Sequence, residues 1–386
     1  MEKTWRWFGR KDRISLKELR QIGVEGIVTS LYDIPNGEVW KEEDIRSLQK
    51  EIESCGMRWS VVESLPVSEE IKYSGPRRDT LIENYRESLA NLGRCGIKTV
   101  CYNFMPVIDW VRTCLDYPMQ DGSSSLYFDY ARFAYFDIKI LGREGAEKDF
   151  PPEILARVEE LDRTMTPEEK WSLVDVIILK TQGFISGNFT ADEKAPVRKF
   201  NDMLALYKGV DKSGLRENLK YFLEAVMPVC DEYGIDMCIH PDDPPMPVFG
   251  LPRIVCDAED IRWILKAVDN FHNGLTFCAG SLSSGARNDV EAMAAEFAPR
   301  THFVHLRSCF TLPNGDFYEA PHVGGKVNLP ELIRIFEAQG RNIPMRVDHG
   351  KTLEGDRDKG HNPGYSFLGR MLAFGQVCGM MEALER

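Results

Sequence analysis

All seven histidines of this 386-residue chain lie beyond residue 239, as His240, His272, His302, His305, His322, His349 and His361. In that half, four short runs rich in β-branched, aromatic and other apolar residues end on side chains able to ligate a metal: MCIH at His240, LTFC at Cys278, FVH at His305 and MRVD at Asp348. Runs of this kind read as strands, so each donor stands at a strand end. Taken singly, a strand-end Asp also serves to cap the next helix, and a Cys is commonly a small buried hydrophobe. Taken together, two imidazoles, a thiolate and a carboxylate suit a divalent first-row metal, and ligand softness alone favours zinc over magnesium.

Side chains alternate along a strand, which puts Arg307 on the same face as His305 and Arg346 on the same face as Asp348. Each guanidinium is a candidate to bind a substrate carboxylate or to form a structural ion pair. His349 directly follows Asp348, and Tyr365 follows in HNPGYSFLGR. An imidazole and a phenol beside a metal can act as an acid–base pair, although a Tyr at the start of a terminal helix is also a common packing residue. There is no GxSxG, no Walker loop and no GxGxxG opening a helix, so acyl-transfer and nucleotide chemistry lose support.

Donors on separate strands act together only if those strand ends converge. Eight candidate strands recur along the chain: Thr4–Phe8, Gly26–Leu31, Trp59–Leu65, Thr99–Phe104, Ile235–His240, Leu275–Cys278, His302–Arg307 and Met345–Asp348. Between them lie stretches of helical period, among them Glu43–Cys55, Asp79–Leu92, Leu215–Glu232, Ala258–Val268 and Leu329–Gln339. Eight strands alternating with helices predict an α/β fold, a (β/α)8 TIM barrel, whose active site sits at the C-terminal strand ends. The span from about 107 to 211 interrupts the pattern after the fourth strand, with helical pieces at Glu153–Arg163 and Glu168–Leu179 and a Gly/Asn-bearing loop. It reads as a helical insertion within one 1–386 domain, placed either to cap the site or to pack on the outside.

The composition sets outer limits. With 43% hydrophobic and 28% charged residues the chain has material for a large core, and its formal charge of −12 disfavours nucleic acid as a partner. The N-terminal stretch MEKTWRWFGRKD lacks an apolar run, and no segment reads as a membrane span. Ten cysteines without a CxxC pair read as reduced thiols, so a cytoplasmic location is expected.

The segments TWRWFG, IPNGEVW, WSVVES, NYRESLANLGRCGIKTVCYNFMPVIDW, HPDDPP, GLPRIV, HFVHLRS, DHG and NPGYS, spread over nearly the whole chain, resemble the mannonate dehydratase family. The resemblance implies a metal-dependent barrel of the xylose-isomerase-like type, with Fe2+ or Mn2+ on His240, Cys278, His305 and Asp348, and His349 and Tyr365 as the acid–base residues. It implies D-mannonate as substrate, 2-keto-3-deoxy-D-gluconate as product and a place in hexuronate catabolism. The family pattern is departed from at Tyr32 and Asp33, at Cys114, at Lys326 and Asn328, and at Val347 before the metal Asp. Those near strand-end loops bear on substrate contacts. Dehydration requires a proton to leave C2 and hydroxide to leave C3; Tyr365 as base and His349 as acid fit these steps, and the two roles are exchangeable. Rival readings are a metal-dependent sugar isomerase or epimerase on the same barrel, a dehydratase of a related aldonate, a non-catalytic sugar-acid sensor and, least in keeping with the acidic charge, a nuclease. A homo-oligomer, with a dimer as candidate form, is the expected assembly.

Overall fold

The computed structural model describes residues 1–182, 189 and 192–385. In chain order the strands are β1 (Glu2–Arg6), β2 (Gly26–Thr29), β3 (Arg58–Glu63), β4 (Thr99–Tyr102), a hairpin of β5 (Cys114–Pro118) and β6 (Ser124–Phe128), then β7 (Asp236–Ile239), β8 (Asn273–Cys278), β9 (Thr301–Leu306), a second hairpin of β10 (Cys309–Thr311) and β11 (Phe317–Glu319), and finally β12 (Pro344–Val347). Eight of them close into a barrel in the order β1-β12-β9-β8-β7-β4-β3-β2, with every pairing parallel. These are the eight strands that the periodicity predicts, and the (β/α)8 architecture follows.

Every residue of β8 and β9 is buried, as expected of parallel strands covered on both faces. Val28, Val61, Cys101, Cys238 and Phe303, each from a different barrel strand, form a cluster of their own. Phe303 packs edge-on against His305, two residues further along the same face, with ring centroids 4.6 Å apart. Apolar side chains thus fill the barrel interior, and the polar strand ends begin one layer above them. The outer helices bury the stripe their period lays down: Ile45, Leu48 and Ile52 on Glu42–Ser54, and Leu329, Leu332, Ile333 and Phe336 on Leu329–Glu337. Asn328 caps the latter helix by accepting from the Glu331 N–H. Each such Ile or Leu, fully buried, contributes about 1.5–3 kcal/mol.

The segment between β4 and the helix Lys212–Tyr233 holds the helices Pro152–Thr164 and Pro167–Val174, the second running on into a π-helical turn at Asp175–Lys180. Both coincide with the helical pieces read from the sequence. The segment is not wholly helical, however. The β5–β6 hairpin pairs with β10–β11 in a four-stranded antiparallel sheet of order β10-β11-β6-β5. These strands are only three to five residues long and β5 ends in an exposed Asp-Tyr-Pro, so no run of alternation announces them. The Gly/Asn-bearing loop falls mostly on 183–191, of which only residue 189 is described.

A second apolar core joins this segment to the barrel mouth. Val107, Ile108, Val111, Phe128, Phe133, Phe136 and Phe200 pack with Val248, Phe249 and Leu251 from the loop after β7, and with Cys309 and Phe317 from the hairpin after β9. Both loops leave the C-terminal ends of barrel strands, so the insertion packs onto that face of the barrel. The ten cysteines are all unpaired, and no helix among the described residues is long and apolar enough to cross a membrane.

Candidate active site

The barrel brings the four expected metal donors to one place. Nitrogen atoms of His240 and His305 and the sulfur of Cys278 all lie within 4.8 Å of one another. His240 Nε2 is 3.3 Å from His305 Nδ1, and Asp348 Oδ2 is 3.6 Å from Cys278 Sγ and 3.7 Å from His305 Nδ1. Four donors bonded at about 2.0–2.3 Å to one tetrahedral ion stand roughly 3.3–3.8 Å apart, so His240, Cys278 and His305 form a group that could hold an ion, with Asp348 beside Cys278 and His305. The hydrogen bonds agree. His240 Nδ1 lies 2.7 Å from the Pro241 carbonyl, which assigns the ring proton to Nδ1 and turns the Nε2 lone pair toward His305. Burial lowers the His240 pKa, keeping the ring in the neutral form that a metal requires.

Around the donors runs a buried network of arginines and carboxylates. Arg346 donates to Glu63 at 2.8 Å and to Asp348 at 2.5 Å; Arg307 donates to Asp348 at 2.6 Å, Glu319 at 2.8 Å and Asp243 at 2.5 Å. Arg112, on the insertion, donates to both Asp243 and Glu319 at 2.7 Å, and Arg6 reaches Glu63 at 2.6 Å. Burial opposes ionisation of Asp348, Glu63, Asp243 and Glu319, but the neighbouring guanidinium groups outweigh it and hold all four carboxyls below their usual range. Four arginines offset four carboxylates. Close packing is needed to bring them together: a Cβ on Gly280 would stand 2.3 Å from Arg307 Cγ, so only glycine fits there.

His349 and Tyr365 flank the same carboxylate. His349 Nδ1 is 2.9 Å from Glu319 Oε1, the Tyr365 hydroxyl is 3.4 Å from Asp348 Oδ1, and the two rings meet edge to face with centroids 5.2 Å apart. Gly364, at φ +80°, makes the turn that places Tyr365, and a Cβ there would be 3.0 Å from the His349 ring. Burial first, and then the charge of Asp348, raise the Tyr365 pKa, while Arg346 and Arg6 oppose the shift.

These groups open into a pocket whose lining includes Arg6, Glu63, His240, Arg307, Arg346, Asp348, His349 and Tyr365 from the barrel, and Asp109 and Trp110 from the insertion. The candidate substrate arginines, Arg307 and Arg346, both line it while being engaged by carboxylates. The other histidines go elsewhere. His272 and His302 pair with Asp236, the first residue of β7 and thus at the opposite end of the barrel. His361 lies beside Asp356, and His322 is buried with its pKa pushed down to about 4. The residues that depart from the family pattern also avoid the pocket lining: Asp33 pairs with Lys11 on the surface, Cys114 is in β5, Lys326 donates to the Ser283 carbonyl and Asn328 is the helix cap already described. Tyr32 packs near Phe8, a neighbour of Tyr365.

Sequence reasoning missed Glu63, Asp243, Glu319, Arg112, Arg6, Asn103, Asp109 and Trp110. Glu63 ends β3 and Asp243 follows His240 in HPDDPP, so the strand-end rule that found the donors would have found these two. Glu319 and Arg112 arrive through the small sheet and the insertion, and no local spacing marks them.

The whole chain, residues 1–386, matches the family model described as D-mannonate dehydratase (UxuA). Mannonate dehydratase of Marinomonas sp. (strain MWYL1) is 44% identical over 395 aligned residues, covering 100% of this chain and 99% of that protein. Mannonate dehydratase of Chromohalobacter salexigens is 41% identical over 397, with the same coverage. The crystal structure of mannonate dehydratase from Streptococcus suis serotype 2 superposes with a TM-score of 0.75 at 34% identity, over 99% of this chain and 94% of that one. An eight-stranded barrel with these donors at its mouth, matched end to end in sequence and in structure, belongs to the D-mannonate dehydratase (UxuA) family of enzymes acting on a sugar acid.

Proposed function

We propose that the protein removes water from D-mannonate to give 2-keto-3-deoxy-D-gluconate, in the cytoplasmic breakdown of hexuronates, with Fe2+ or Mn2+ held by His240, Cys278, His305 and Asp348. The observation that carries the reading is the convergence of these four donors beside His349 and Tyr365, in a pocket walled by arginines. When bound, the ion supplies positive charge against the negative charge that develops at the carboxylate end as C2 loses its proton.

The chain's own residues do the rest. Arg307 and Arg346 keep Asp348 ionised. Glu319 accepts the Nδ1 proton of His349, which fixes the tautomer with Nε2 available to take a proton. Tyr365, whose raised pKa keeps its phenol protonated, is suited to deliver a proton to the hydroxyl leaving C3. The two residues thus exchange the roles that fit them from sequence alone, where either order was open. Trp110 and the insertion close the pocket from above and keep bulk water from the reacting carbons.

The test is a panel of aldonates and aldoses given to the metal-loaded protein, with products identified by NMR. Formation of a 2-keto-3-deoxy acid from D-mannonate supports dehydration. An isomeric product formed without loss of water would support an isomerase or epimerase instead.

A further inference from the structure

Among the carboxylates that line the pocket, Asp109 stands apart. Glu63, Asp243 and Asp348 are each engaged by an arginine, whereas the Asp109 carboxylate receives no hydrogen bond and no ion pair among the described residues. Its backbone, by contrast, is pinned on every side. Val107 N–H donates to Glu69 Oε2 at 2.9 Å, Arg253 Nη2 donates to the Ile108 carbonyl at 2.7 Å, and Gln182 accepts from Asp109 N–H at 3.1 Å while donating to the Trp110 carbonyl at 2.9 Å. Gln182 is fully buried, so its amide is committed to this task. A rigid peptide therefore presents one carboxylate to the cavity without a partner. The side chain is half-buried; partly dehydrating a carboxylate without supplying donors is costly, and a site that keeps one in that state is suited to donors that come with the ligand.

We infer that Asp109, with Asn103 in the same pocket, binds the hydroxyl groups of the sugar acid at the end remote from its carboxylate. This rests on the reading of the pocket as the site of a sugar-acid dehydratase. A carboxylate accepts from two vicinal hydroxyls at once, and the Asn103 amide, which also makes no side-chain hydrogen bond among the described residues, offers both a donor and an acceptor. Position gives the direction. The expected metal donors His240 and Asp348, with His349 and Tyr365, lie on the barrel side of the pocket, and Asp109 lies on the insertion. With the reacting carbons C1–C3 held at the first group, the chain of hydroxyls extends with C5–C6 toward the cap. Asp109 on this account sets chain length and orientation and does not take part in proton transfer.

The experiment compares wild type with Asp109→Asn, an isosteric change that leaves the backbone pins in place, using the metal-loaded protein. The KM for D-mannonate is measured together with the inhibition constant of the four-carbon aldonate that shares the C2 and C3 configuration but lacks C5 and C6. The expected result is a KM raised about 10–100-fold, the scale for loss of a charge-assisted hydrogen bond, with kcat within about 3-fold of wild type and the four-carbon inhibitor binding as before. A fall in kcat with KM unchanged would make Asp109 part of the chemistry and overturn the assignment. Equal weakening of substrate and four-carbon inhibitor would place its effect at the carboxylate end and overturn the assignment as well. A wild-type protein that leaves D-mannonate untouched would overturn the dehydratase reading itself, and the subsite with it.

Discussion

Arg112→Met tests how the insertion is fastened to the barrel. The Arg112 side chain is fully buried and donates to Asp243 through both Nη1 and Nη2, at 2.7 and 3.2 Å, and to Glu319 at 2.7 Å. Removing one partner of a buried ion pair costs about 3–5 kcal/mol, because the remaining charge is left without compensation. Arg307 still contacts both carboxylates, so the loss falls at the lower end, about 3 kcal/mol. In a chain of this length that corresponds to a Tm lower by roughly 4 °C, since the shift per kcal/mol shrinks with size. The sign with pH follows from the two depressed carboxyls. Their stabilisation is complete above the unfolded-state pKa of about 4 and is lost as pH falls from there toward the lower folded-state values. The gap between wild type and variant in a thermal melt is therefore full above about pH 4 and narrows only as pH falls below that toward the folded-state values. Because Glu319 also holds His349, kcat should fall by more than KM rises. A variant that melts within about 1 °C of wild type at pH 7 would refute the reasoning.

Cys278→Ala should release the metal, since it removes the thiolate from a four-donor set; metal content after dialysis against a chelator checks this, and full retention would exclude Cys278 as a ligand. His349→Asn and Tyr365→Phe should retain metal and substrate binding while kcat falls by roughly 10²–10⁴-fold. With His349 as base, exchange of the C2 proton with deuterated solvent should vanish in His349→Asn and persist in Tyr365→Phe, and the opposite pattern would make Tyr365 the base.

The barrel was legible because most of its strands leave a largely buried run and several are followed by a helix of clear period, and the donors were legible because they stand at the ends of those runs. The four-stranded sheet was not legible. Its pairings join Phe128 to Phe317 across the insertion and a loop far down the chain, and no local pattern encodes that contact. Glu319 and Arg112 depend on the same sheet and insertion, so the carboxylate that orients His349 and the arginine that holds it were invisible, although His349 itself was not. The clustering of histidines in the C-terminal half pointed the right way but included too much: His240, His305 and His349 share the site, while His272 and His302 serve the other end of the barrel. Arg307 and Arg346 show a further limit. Alternation places them on the correct face, but their ion pairs with Asp348, Glu63, Asp243 and Glu319 are set by tertiary packing alone.

The central claim, that four converging donors hold a metal without which D-mannonate is not dehydrated, is tested most directly by one titration. Protein stripped of metal is incubated with D-mannonate while Mn2+ is added in steps, and 2-keto-3-deoxy-D-gluconate is followed by NMR. The account predicts no product from the stripped protein, product formation that rises and saturates at one ion per chain, and a lower rate with the C2 epimer D-gluconate. Undiminished turnover by the stripped protein, or saturation with metal and no loss of water from D-mannonate, would contradict it.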